Sequence, residues 1–211
     1  MLEKIGTVGF ETLSKPDHTV LELLKDILTV NSAPVVYEIG VGVGATTLPI
    51  AQLLNNSGRL YLFSRKKDVL ELSADLSQLG YENICDEWGS ATKTYSGYHF
   101  ELACGFVADK LPLFDLAYID GGHVFHLDGS ATCILKQLCK PGGYMVFDDW
   151  NWTLAKSPTM NPTRRPATLL EYDEAQITTS HVQLVCKAFM DRDPSFRRLG
   201  QDGNTCVYQR V

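Results

Sequence analysis

No apolar run in these 211 residues is long enough to span a bilayer, so neither a membrane-crossing helix nor a membrane partner is expected. The opening Met-Leu-Glu-Lys-Ile-Gly lacks the apolar core of a secretory signal. None of the six cysteines (85, 104, 133, 139, 186 and 206) forms a C-x-x-C pair or has a histidine at zinc-site spacing. Several lie in apolar segments, as buried reduced thiols do, which fits a cytoplasmic protein. Excess positive charge is missing too. The net charge is −6 and the pI about 5.3, which speaks against nucleic acid as a partner. Basic residues gather only at Arg65-Lys66-Lys67 and Arg164-Arg165. There is no internal repeat and no low-complexity stretch. Oligomeric state is not legible, and a homo-oligomer stays open.

What is present is a chain 45% hydrophobic, enough for one domain over 1–211 with a sizeable core. Residues 1–16 are polar and irregular. Thr19 to Glu22 fits a capping box, and Val20, Leu21, Leu24, Ile27 and Leu28 share one helical face, so 1–34 reads as an N-terminal helical segment. A β-branched run at 35–39 then stops at Gly40, Gly42 and Gly44, and a helix is expected over 45–54. Strand, glycine turn and helix N-terminus together suit a nucleotide-like cofactor, although a tight turn with no ligand has the same pattern. A second strand is expected at 59–63, a helix at 68–79, a third strand within 100–107 and a fourth at 114–119. Residues 81–98 have no clear pattern. A helix follows at 125–138, with Lys-Pro-Gly-Gly at 140–143 as its stop, and a fifth strand at 144–147. The proline-bearing stretch 151–168 reads as an ordered substrate loop or lid, anchored by Trp150, Trp152 and Met160. A helix over 174–190 and a hairpin of 196–199 with 205–209 complete the chain. Alternating strands and helices give an α/β fold: a Rossmann-like, doubly wound, mostly parallel sheet with a C-terminal antiparallel hairpin.

Ligands of such sheets sit beyond the carboxyl ends of the strands. Glu38, Asp120, Asp148 and Asp149 all fall there. Each aspartate alone could simply cap a helix or turn. Asp120, Asp148 and Asp149 together, on two strand ends, favour a hard divalent cation such as Mg2+. His123, just past Asp120, is placed to act as a general base or to face solvent at a helix start, and the two readings stay open. His126 reads as structural.

These motifs carry a resemblance. Glu38-Ile-Gly-Val-Gly-Val-Gly44 is similar to the first motif of class I S-adenosylmethionine-dependent methyltransferases. Tyr118-Ile-Asp-Gly-Gly-His123, the Pro-Gly-Gly at 141–143 and Val146-Phe-Asp-Asp149 resemble the metal-dependent O-methyltransferases, of the macrocin, mycinamicin and catechol types. The resemblance spans roughly 20–150. It implies methyl transfer from S-adenosylmethionine to a hydroxyl of a small molecule such as a sugar, a phenol or another natural product. It implies that Glu38, Gly40, Gly42 and Gly44 hold the methionine part of the cofactor. It implies that Asp120, Asp148 and Asp149 bind Mg2+, and that Asp120 and His123 are catalytic. One position departs from the family: where it usually has an acid bonding the ribose at the end of strand two, this chain has Ser64. The adjoining basic cluster would suit a 2′-phosphate, so an NADP-dependent oxidoreductase using the turn from Gly40 to Ala45 stays open, as does a non-catalytic cofactor-binding module. Gly105, Phe106 and Asp86 are candidates for the adenine pocket. Tyr144, Trp150 and Trp152 are candidates for the acceptor wall.

Overall fold

The structure is a computed structural model that describes residues 1–91 and 97–211. Its sheet has seven strands in the order β3-β2-β1-β4-β5-β7-β6. The parallel strands are β1 (Val35–Ile39), β2 (Arg59–Phe63), β3 (Ile84–Cys85), β4 (Phe114–Ile119) and β5 (Cys139–Phe147). The antiparallel pair β6 (Phe196–Asp202) and β7 (Thr205–Arg210) joins along β5.

Alternation within the strands explains why their sequences are mostly apolar on both faces. Val36, Leu60, Leu62 and Leu116 point into one layer, packed under α1 (His18–Val30), α2 (Thr47–Leu54) and α3 (Lys66–Gln78). Tyr37, Tyr61, Phe63 and Ala117 point into the other, under α4 (Tyr98–Val107) and α5 (Phe125–Leu138). Both faces are therefore covered, as parallel sheets require. The valine, leucine and phenylalanine side chains among these residues contribute about 1.5–3 kcal/mol each on burial. The same parity places Glu38 on the face of Val36, below α2.

Several expected elements differ. The apolar stretch 100–107 is not a strand but part of α4, whose buried Tyr98, Leu102 and Gly105 follow helical spacing. The third strand is the two-residue β3, inside the stretch that lacked a pattern; residues 92–96 of that stretch lie outside the described residues. α1 is capped by Asp17, whose carboxylate accepts from the Val20 amide, and Thr19 lies inside the helix. The Lys-Pro-Gly-Gly segment does not end before the sheet: β5 already starts at Cys139, opposite Phe114, and shifts register before Leu116. The long helix over 174–190 is broken into α7 (Glu174–Thr178) and α8 (His181–Val185), followed by a π turn at Cys186–Met190. Ser180 causes the break: its hydroxyl caps α8 through the Gln183 amide and also donates to the Trp150 carbonyl. The short helix α6 (Thr168–Glu171) precedes them. Residues 1–16 carry two single 3-10 turns, Leu2–Lys4 and Glu11–Leu13.

No helix among the described residues is long and apolar enough to cross a membrane.

Candidate active site

Three hydrogen bonds align the strand ends. The Gly40 amide donates to the Phe63 carbonyl (2.8 Å), the Asp120 amide to Ile39 (2.8 Å) and the Asp148 amide to Ile119 (3.0 Å). Each residue leaving a strand is thereby held against its neighbour, and the functional positions form a row. Gly40 is obligatory in that row. Its φ is +87°, and an added Cβ would sit 1.9 Å from the Asp120 carbonyl oxygen. Gly42 has φ +50° and nothing within 4 Å of its Cβ position, so the turn leaves open space above it.

Two cavities meet over this turn. One of about 380 Å³ is lined by Glu38, Gly40, Gly42, Asp120, Asp148 and Asp149 among others. The other, about 310 Å³, runs from Gly40 and Asp120 to Ser64, Arg65 and Asp68. Leu13, Gly40, Val41, Gly42 and Asp120 line both, so the two form halves of one cleft. The N-terminal segment forms its outer wall through Thr12, Leu13, Lys15 and Pro16. Nothing periodic in 1–16 signalled that role.

Glu38 is 1% exposed. Its Oε1 accepts from the Thr47 hydroxyl at 3.0 Å, and its Oε2 has no partner. Burial pushes its carboxyl up to about 8, against the pull of the Thr47 hydrogen bond.

At the far side of the turn, Asp120, His123 and Asp149 bring one ligand atom each to within 4.8 Å of one another. His123 Nε2 lies 3.2 Å from Asp149 Oδ2 and 3.7 Å from Asp120 Oδ1. Both His123 (φ 52°) and Asp149 (φ 56°) sit in the left-handed region, which is uncommon outside glycine and concentrates at functional sites. Asp120 is pushed well above the usual carboxylate range by burial, then by the charges of Asp148, Asp149 and Glu38. Asp148 is raised as well, chiefly by burial. Its Oδ2 accepts from the Tyr118 hydroxyl at 2.9 Å and its Oδ1 from the Asp149 amide at 2.7 Å. The Tyr118 hydroxyl also lies 3.4 Å from Asp120 Oδ2. Burial raises Tyr118 strongly, so it stays a donor between two carboxylates. The β6–β7 turn closes the cluster, with Asn204 donating to Asp149 Oδ1 at 2.7 Å.

Like charges this close call for a compensating cation or proton. The mutual spacing of Asp120, His123 and Asp149 is that of donors around one cation, so these residues fit a divalent metal. With the two carboxylates alone as ligands the set suits a hard cation such as Mg2+; the imidazole, were it to join them, would lower that selectivity. The Asp148 carboxylate is turned to Tyr118 instead, beside the cluster.

The loop bearing His123 is clamped from below. Asp128, 2% exposed, accepts from the Tyr98 hydroxyl, and the same hydroxyl accepts from the Gly122 amide at 2.9 Å. A Cβ on Gly121 would meet that hydroxyl at 2.7 Å. Tyr98→Phe removes one hydrogen bond from the Asp128 carboxylate and one from the Gly122 amide, leaving Asp128 with the backbone amides of Gly122 and His123. It is expected to lower stability by about 1–3 kcal/mol, read by urea denaturation; an unchanged midpoint would show that the clamp is idle.

Of the remaining sequence candidates, Ser64 lines the cleft. Gly105, Phe106 and Asp86 line neither half of it; Gly105 packs on Leu111 and Trp88 inside the helical layer. Tyr144 is at the opposite end of the sheet, lining a separate cavity of about 440 Å³ with Asp26 and Asp115. Trp152 does reach the site, its ring 5.3 Å from that of His123. Trp150 is buried, with the Arg198 guanidinium 4.5 Å above its ring. Thr47, Tyr98, Asp128 and Asn204 had no sequence signal as site residues, because each acts through a partner elsewhere in the chain; Tyr118 lay in a quoted motif, but its role between Asp120 and Asp148 did not show.

A strand-end glycine turn beside a row of strand-end carboxylates, on a sheet with an antiparallel C-terminal pair, defines the class I methyltransferase architecture. The sequence profile of a methyltransferase domain matches residues 37–150, and the chain belongs to that family. Among curated proteins none matches. Solved structures with the same fold include the O-methyltransferase TomG from Streptomyces achromogenes, in complex with S-adenosylmethionine (14% identity, TM-score 0.63, covering 100% of this chain and 88% of that one). A Bacillus cereus O-methyltransferase in complex with SAH is similar (15%, 0.61, 100% and 90%). So is an rRNA methylase from Streptococcus thermophilus (15%, 0.52, 93% and 97%). At these identities the likeness is one of fold, and it does not select the acceptor.

Proposed function

We propose that this protein transfers a methyl group from S-adenosylmethionine to a hydroxyl of a small molecule, assisted by a divalent cation. The observation that carries the reading is the meeting of Asp120, His123 and Asp149 within 4.8 Å, at the edge of the cleft over the glycine turn. Glu38 and the turn at Gly40 and Gly42 hold the methionine part of the cofactor; Gly44, expected with them, lines neither half of the cleft and faces Leu2 and Leu72, so it shapes the turn from behind. Asp120 and Asp149 hold the cation, with Asp148 next to them, and a bound cation lowers the pKa of a coordinated hydroxyl. The acceptor oxygen attacks the sulfonium methyl; a C–O bond forms, the C–S bond breaks, and S-adenosylhomocysteine leaves. His123, its Nε2 3.2 Å from Asp149 and not counted among the cation's ligands in this reading, takes the hydroxyl proton, and Trp152 and the 151–168 segment exclude water. A small acceptor is favoured over RNA because the cleft carries Asp17, Glu38, Asp120, Asp148 and Asp149, which repel a polyanion.

Methyl transfer to a panel of sugar, phenol and polyketide alcohols, followed by mass spectrometry, tests the reaction. Treatment with EDTA is expected to remove most of the activity, and Mg2+ or Mn2+ to restore it. Full activity after chelation would dismiss the cation.

A further inference from the structure

At the end of β2, where the resemblance leads to the expectation of an acid, the chain has Ser64. Ser64 follows β2 directly, and its carbonyl is taken by the Ser90 amide at 2.8 Å. Its hydroxyl is left without a hydrogen-bond partner among the described residues, and it lines the 310 Å³ half of the cleft. One helical turn later, in the first turn of α3, Asp68 lines the same cavity. Its side chain is 16% exposed, against 72% for Arg65. Arg65 Nε donates to Asp68 Oδ2 at 2.5 Å, and Oδ1 has no partner among the described residues. A carboxylate with one oxygen anchored and one open, beside an open hydroxyl, is a pair of acceptors on the wall of a cofactor cleft.

We propose that Asp68, held by Arg65 and flanked by Ser64, binds the ribose hydroxyls of the cofactor in place of a strand-end acid. This rests on the S-adenosylmethionine reading of the cleft. It has a second consequence. The charge of Arg65 is already met by Asp68, so a 2′-phosphate entering here would face a carboxylate and not a free guanidinium. The cleft then selects an adenosyl group with a free 2′-hydroxyl, against the dinucleotide reading of the basic cluster. A merely structural Asp68, serving the N-terminus of α3 through the helix dipole and an i,i+3 ion pair, would not respond to the ligand's hydroxyls.

The test is calorimetric titration of the full chain and of Asp68→Asn with S-adenosylhomocysteine and with its 2′-deoxy analogue. The expected result is a ten- to hundred-fold loss of affinity for S-adenosylhomocysteine in Asp68→Asn, the scale of a hydrogen bond to a charged group. The deoxy analogue is expected to lose at least ten-fold on the unmodified chain and to show little further loss on the variant. Equal deoxy penalties on both chains would overturn the proposal, as would a penalty under two-fold on the unmodified chain, a result that needs no variant to fold. Binding of adenosine 2′,5′-bisphosphate as tightly as S-adenosylhomocysteine would overturn it too. If the unmodified chain bound no S-adenosylhomocysteine at all, the cofactor reading would fall first and the role of Asp68 with it.

Discussion

Asp120→Asn is expected to lose at least about a hundred-fold in methyl transfer while the chain becomes no less stable at pH 8, an activity loss on the scale of removing one group that stabilises charge in a transition state. Asp120 is the hinge of the site. It lines both halves of the cleft, and its amide is fixed by Ile39. Its carboxylate stands 3.7 Å from His123 and is driven up by burial and by Asp148, Asp149 and Glu38. Those are the conditions that call for a cation, and asparagine would offer that cation a neutral oxygen only. The stability sign follows from the same shift. An acid raised in the folded state contributes stability that is present at low pH and lost as pH rises past its unfolded value. Asparagine cannot ionise, so that loss disappears. Initial rates and thermal unfolding at pH 5 and pH 8 decide the matter. A variant retaining a tenth of the activity, or melting lower at pH 8, would remove Asp120 from the role given to it.

Glu38→Gln should separate stability from cofactor binding in the opposite directions. The Glu38 carboxyl is buried, with Oε2 unpartnered, and burial raises it to about 8 from an ordinary value of 4.5. In the chain without cofactor its stabilising protonated form is therefore progressively lost between pH 4.5 and 8. One pH unit of displacement corresponds to about 1.4 kcal/mol, so glutamine should add at most a few kcal/mol at pH 8 and almost nothing at pH 4. Glu38 lines the cavity where the cofactor's ammonium would supply the missing charge. Glutamine cannot answer that charge, and affinity for S-adenosylhomocysteine should fall about ten- to hundred-fold. A variant that melts with the unmodified chain at pH 8, or binds the cofactor equally well, would show that Glu38 is only a partner of Thr47.

How far the sequence was legible differs from element to element. β1, β2 and β4 were readable because strands buried on both faces are apolar at nearly every position and end at Gly40, Ser64 and Asp120. α4 was misread because a short apolar run carries no period, and only its packing against α5 shows which face is buried. The break at Ser180 was hidden for a similar reason: the hydroxyl's partner is the Trp150 carbonyl, distant in the chain. In the cleft, the glycine turn and the acids at strand ends were visible, since φ and strand parity are local properties. The wall built by 12–16 and the clamp of Tyr98 on Asp128 were not.

By itself, then, the sequence determined a mostly parallel α/β sheet and the places where its acids leave it, because periodicity and turn chemistry are written residue by residue; the methyltransferase reading came from the resemblance of its motifs. Tertiary structure alone decided which side chains meet. It grouped His123 with Asp120 and Asp149, turned Asp148 toward Tyr118, and set Asp68 beside Ser64, because those contacts depend on how strands and helices from distant parts of the chain are brought together.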